Sequence, residues 1–145
     1  MRLVVQRVRH GRVSLEGRCI AEIQTGLVIL LGIGPEDTIE VARSLAHKLA
    51  FMRIFQDAQG KMNLSVLDVH GEAIVVSQFT LFADTHKGNR PSFMGAALPD
   101  RARPLVNSFA QCMAAEGIPT QMGEFGMHML VEIDNDGPVT IILES

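Results

Sequence analysis

The chain contains no tryptophan and no tyrosine. Any aromatic platform for stacked bases must come from its seven phenylalanines, and none of these sits in an RRM-type signature. Cysteine is scarce as well. Cys19 and Cys112 stand far apart and outside any CxxC or Cys/His cluster, which argues against structural zinc and fits a reducing compartment, most simply a bacterial-type cytoplasm. The longest apolar stretch, residues 27–33, falls short of the roughly 20 residues that span a membrane. The first residues carry arginines where a signal peptide needs an unbroken apolar segment. GxSxG, HExxH, Walker A and GxGxxG are all missing, so the common hydrolase, metalloprotease and nucleotide-binding templates do not apply. His10, His47, His70, His86 and His128 show no ligand spacing, and no metal is expected. Thirteen basic against sixteen acidic residues give a net charge of -3, which excludes a strongly basic nucleic-acid coat protein but not a local basic patch.

What is present is an ordinary globular composition, 47% hydrophobic and 20% charged over 145 residues, enough for a single domain spanning residues 1–145. Residues 2–9 read as a strand. Residues 12–16 and 19–23 flank Glu16-Gly17 as a hairpin, and the apolar run 27–33 reads as a buried central strand. Asp37 or Thr38 caps a first helix whose apolar face is Val41, Leu45, Leu49 and Met52. Residues 57–60 read as a turn and residues 73–82 as a strand; residues 83–99 are an irregular loop long enough to suggest function. A second helix spans residues 100–116 with Gly117 as its stop, and Pro104 is expected to delay its start. Residues 127–133 and 139–143 read as strands joined by a turn at 134–138. Two helices among six or seven strands predict an α+β fold with a mostly antiparallel sheet or barrel.

Four segments stand out chemically. Polar side chains interrupt the strand at Ser77-Gln78-Phe79-Thr80, either bonding locally to backbone or lining a small polar pocket able to hold an oxyanion. Lys87 and Arg90 lie in the long loop, either solvated or meeting a phosphate or carboxylate. Gly137-Pro138 is either an ordinary turn or, with a cis bond, a way to aim two carbonyls in an unusual direction. Arg2, Arg7, Arg9, Arg12 and Arg18 face one acid, Glu16, within the first twenty residues. They form either an edge-strand guard or a contact to a phosphate backbone.

Six motifs occur in order along the chain: Gln6-Arg7-Val8; Arg53-Ile54-Phe55 through Gly60-Lys61-Met62-Asn63; Ser77 to Leu81; Arg90-Pro91-Ser92-Phe93; Pro99-Asp100-Arg101-Ala102; and Asn135 to Thr140. In this order and spacing the chain resembles the bacterial-type D-aminoacyl-tRNA deacylase family over nearly its whole length. The resemblance implies a homodimer of barrel-like subunits with active sites at the interface and no cofactor. It implies hydrolysis of the ester between a D-amino acid, or glycine, and the terminal ribose of tRNA, with no DNA or membrane partner. It also implies that Ser77, Gln78, Phe79 and Thr80 form the catalytic segment. Gly137-Pro138 would reach into the partner's site, Arg7 would hold that motif, and Phe125 and Met129 would line the pocket.

Two mechanisms then compete. In one, Thr80 is a nucleophile, although no base is visible near it in sequence. In the other, the favoured one, the amides around Phe79 and Thr80 polarise the carbonyl together with Gln78, and the substrate's free ribose hydroxyl helps activate water. Two other classes share some of these features: a non-catalytic tRNA-end binding module and a small-molecule esterase.

Overall fold

The computed structural model describes residues 1–145. The two φ-positive residues that a tight hairpin demands, Glu16 at 49° and Gly17 at 79°, join β1 (Arg2–Leu15) to β2 (Arg18–Ile23) as expected. β1 is one continuous strand where two were anticipated. Along one edge it is bonded antiparallel to β3 (Gly26–Gly32) through residues 2–8 and to β2 through residues 11–15. Along the other edge it meets β8 (Leu130–Glu144), also antiparallel.

β3 continues in parallel to β6 (Glu72–Ser77), and β6 in parallel to the three-residue β7 (Thr120–Met122). The sheet then almost closes on itself. The Gln121 side chain of β7 accepts from the Glu22 amide at 3.0 Å and donates to the Glu22 carbonyl at 2.6 Å, standing in for a backbone ladder between β7 and β2. A small hairpin, β4 (Phe55–Gln56) and β5 (Met62–Leu64), brackets the predicted turn.

Both helices pack on one face of this sheet. α1 (Ile39–Ala50) is capped by Thr38, whose hydroxyl accepts from the Val41 amide, and it buries Ala42, Leu45, Ala46 and Leu49. Met52 lies past its end. α2 (Pro99–Ala115) buries Leu105, Val106, Phe109 and Met113. Its start is not delayed: Pro104 sits inside the helix. The missing amide would have served the Asp100 carbonyl, and both residues face solvent, where water can take that acceptor. The helices share a large core with Leu27, Ile29, Leu31, Ala73 and Val75. The alternate side chains of the same strands, Val28, Ile74 and Val76, join Val8, Val13, Ala21 and Ile23 in a second cluster where the sheet curls. No helix is long and apolar enough to cross a membrane.

Candidate active site

Ser77 is the last residue of β6, so the strand expected to run to residue 82 stops five residues earlier. The Gln78 amide still pairs with the Leu31 carbonyl at 2.8 Å, and then Phe79–Phe82 wind into a single 3-10 turn. Gly32 makes room for it: a Cβ there would lie 3.0 Å from the Gln78 carbonyl and 3.1 Å from the Phe82 ring. Arg2 pins the turn from outside by donating to the Leu81 carbonyl at 3.0 Å, with its guanidinium 4.8 Å from the centre of the Phe82 ring.

The turn begins without a capping side chain, and the fold provides no partner for the amide N–H groups of Phe79 and Thr80. Both residues are exposed. Gln78 Nε2 donates to Thr80 Oγ1 through a short hydrogen bond. No acid, histidine or lysine is hydrogen-bonded to that hydroxyl.

Ser77, Gln78 and Phe79 form one wall of a cleft of about 650 Å³. Phe125 to Met129 line it as well, together with Phe93 and residues 96–99 from the end of the long loop. That loop is tied down by paired Asp84 and Ser92 backbones, by the Ala97 amide on the Ile33 carbonyl at 2.8 Å, and by Phe93 packed edge-on against Phe79 with ring centres 5.1 Å apart. The lining is mainly apolar, unlike the small polar pocket that was one of the two readings of this segment. Residues 127–129 form cleft wall rather than strand, because Phe125-Gly126 turns the chain and pairing resumes only at Leu130. Phe93, the last residue of the motif Arg90 to Phe93, also lines the cleft, and His128 is a cleft residue that motif spacing did not single out. No three His, Cys, Asp or Glu side chains converge as a metal site would require.

Arg7, Gly137 and Pro138 do not line this cleft; they meet one another elsewhere. Residues 134–138, expected to be a turn between two strands, lie within β8 as an outward arch. Gln6 pairs with Thr140 and Val8 with Asn135, so two steps along β1 match five along β8. The peptide bond between Gly137 and Pro138 at the tip is cis, and both residues are exposed. Arg7 is 3% exposed and fills the base of the arch. Its Nε and Nη2 donate to the Asp136 carbonyl at 3.1 and 2.8 Å, and its Nη1 donates to the Ile54 carbonyl at 2.6 Å.

The basic N-terminal corner is largely spent inside the protein. Arg2 pairs with Glu144, Arg7 and Arg9 with Asp136, and Arg12 approaches Glu132. Because β1 is bonded along both edges, these arginines guard no free strand edge; the structure shows them paired with acids of the same chain. In the long loop, Lys87 and Arg90 are exposed, and Asp84 is held below the usual carboxylate range by the His86 amide and then by the His86 ring.

The sequence profile described as D-Tyr-tRNA(Tyr) deacylase matches residues 4–144. A D-aminoacyl-tRNA deacylase of Geobacillus sp. (strain WCH70) is 52% identical over 145 residues, covering the whole chain and 95% of that protein. A solved structure titled c-Myc DNA Unwinding Element Binding Protein superposes with a TM-score of 0.92 at 40% identity, over 100% of this chain and 99% of that one. A structure titled as a probable eukaryotic D-amino acid tRNA deacylase has the same fold, with a TM-score of 0.86 at 15% identity over 98% and 97% of the two chains.

Proposed function

Because this chain belongs to the D-Tyr-tRNA(Tyr) deacylase family, and so is a hydrolase of aminoacyl-tRNA esters, we propose that it removes D-amino acids, and glycine, from tRNA in the cytoplasm and spares L-aminoacyl-tRNA. The observation that carries this reading is the start of the 3-10 turn: two unpaired amides, at Phe79 and Thr80, beside a cleft with apolar walls. Such amides would stabilise the oxyanion that forms when water adds to the ester carbonyl. The carbon–oxygen bond to the ribose then breaks, the ribose oxygen takes the proton that the water loses, and a free amino acid and tRNA leave.

Thr80 serves this chemistry through its amide, not as a nucleophile. Its hydroxyl is engaged by Gln78 and is hydrogen-bonded to no acid, histidine or lysine. The substrate's own free ribose hydroxyl is then the group that helps activate water. Phe125 and Met129 supply apolar surface for the terminal nucleoside.

Chirality needs a different device. The Gly137-Pro138 tip is absent from the cleft of its own chain, and the cleft lining includes the exposed side chains of Leu98 and Met127. In a homodimer each tip would enter the partner's cleft. Backbone carbonyls at the α-carbon touch only what all amino acids share, so an L side chain would be excluded by contact and any D side chain admitted. Glycine, with no side chain, would pass.

The test is to incubate the protein with D-tyrosyl-tRNA and follow the appearance of free tRNA. Rapid release that weakens as salt rises supports the reading. Binding without release would identify a tRNA-end binding module, and a salt-insensitive rate matched on small esters would identify a general esterase. With a substrate ending in a 2′-deoxyribose, the ribose-assisted route predicts a large loss of rate. Normal turnover excludes that route.

A further inference from the structure

Arg7 fills the base of the arch, but the two feet of the arch are joined by another set of groups. The Asn135 side chain spans them: its Oδ1 accepts the Val139 amide at 2.9 Å, in place of the ladder bond that the extra residues interrupt. Its Nδ2 donates to Gln6 Oε1 through a short hydrogen bond. The Thr140 hydroxyl donates to that same Gln6 oxygen at 2.6 Å. One acceptor on β1 thereby holds both ends of the arch, while Gly137 and Pro138 at its tip stay exposed. Asn135 and Gln6 are both half-buried, and Val139 is 7% exposed, so the clamp is sheltered and its partners are replaced poorly by water.

We propose that Asn135 and Gln6 are positioning residues for stereochemical selection, and that they set the angle at which the Gly137-Pro138 tip leaves the sheet. The inference rests on the reading that this tip excludes L side chains. Arg7 resists withdrawal of the arch by binding the Asp136 carbonyl, whereas the Asn135–Gln6 pair fixes the spacing of its feet. Loss of the clamp leaves the cleft and its amides intact, because neither residue lines the cleft. The D-substrate rate therefore falls modestly while the ability to reject L-substrate collapses. A residue that merely held the fold together would lower both rates in parallel.

The experiment compares single-turnover deacylation of D- and L-tyrosyl-tRNA by wild type, Asn135→Leu and Asn135→Asp, with thermal melting of each. Asn135→Leu keeps the approximate size and removes both bonds. It is expected to lower the D/L ratio at least tenfold. Asn135→Asp retains the acceptor for Val139, and the Gln6 amide can turn to donate, so the ratio is expected to return to within about threefold of wild type. Should Asn135→Leu fail to fold, Gln6→Leu, which removes the shared acceptor, is read in the same way. A wild type that discriminates, together with a folded leucine variant that keeps the full ratio, overturns this inference alone. A wild type that leaves D-tyrosyl-tRNA intact overturns the proposed function and the inference with it.

Discussion

Replacing Arg7 with methionine should cost this protein both stability and activity, by amounts that follow from what the guanidinium holds. Methionine fills a similar volume and donates nothing. The Ile54 carbonyl, in a residue only 6% exposed, loses its 2.6 Å donor, and the Asp136 carbonyl loses two donors at 3.1 and 2.8 Å. Each carbonyl left without a partner costs about 1–3 kcal/mol. The Asp136 carboxylate keeps Arg9 at 2.9 Å and is 31% exposed, so it adds little. The sum is roughly 2–6 kcal/mol, or about 6–18 °C in melting temperature for a chain of this length. Arg7→Lys keeps the charge but offers one nitrogen to carbonyls that lie in two directions, and it should recover only about half of the loss. At a temperature where both variants remain folded, D-tyrosyl-tRNA deacylation should fall on the order of 10- to 100-fold through misplacement of the arch. Calorimetry and single-turnover assays on the same preparations decide the matter. A methionine variant that melts within about 2 °C of wild type, or a lysine variant indistinguishable from wild type, contradicts the role assigned to Arg7.

Three further outcomes are expected. Asp37→Asn should destabilise the protein by about 3–5 kcal/mol in denaturant titration, since the buried Asp37 carboxylate holds the Met1 ammonium and the Gly34 amide. A loss below about 1 kcal/mol, the range of a surface pair, would show that the ammonium finds another partner. Thr80→Ala keeps the amide N–H and should slow single turnover by less than the about 10²–10³-fold that loss of an oxyanion donor costs; complete loss, with an acyl group trapped on Thr80 in wild type, would establish a nucleophile. The Asp84 carboxyl should titrate below the ordinary range, because folding favours its charged form through the His86 amide. The sign follows: its hold on the long loop is present above the ordinary carboxylate pKa and is lost as pH falls through the lowered one. Carbon-detected NMR titration reads this directly, and an unshifted midpoint counts against it.

The parts of the fold that could be read from sequence have strong local chemistry. Glu16-Gly17 supplies the turn, Thr38 the cap, and Leu45 and Leu49 the buried face of α1. The parts that could not be read lack a local signature. β7 has three residues, too few for a period to emerge, and its closure onto β2 depends on one side chain, Gln121. The alternation through Ser77 and Phe79 suits a strand equally well; only the close approach at Gly32 shows why the chain turns there. The arch hides inside β8 because turn residues in the middle of a strand look like a boundary between two. Ser77 to Thr80, Gly137-Pro138 and Phe93 all stand in family motifs legible in the sequence. His128 does not, because its place in the cleft comes from the tertiary folding of a turn.

The most direct measurement is the ratio of single-turnover rates on D- and L-tyrosyl-tRNA for wild type and Gly137→Val. A Cβ at Gly137, where φ is 131°, would lie 2.9 Å from Val139 Cγ2 and 3.1 Å from Arg7 Nη2, so valine must displace the tip. Wild type is expected to show a ratio far above one, and the variant to have lost most of its D-substrate rate. Equal rates on both enantiomers in wild type, or an unchanged ratio and rate in the variant, would contradict it.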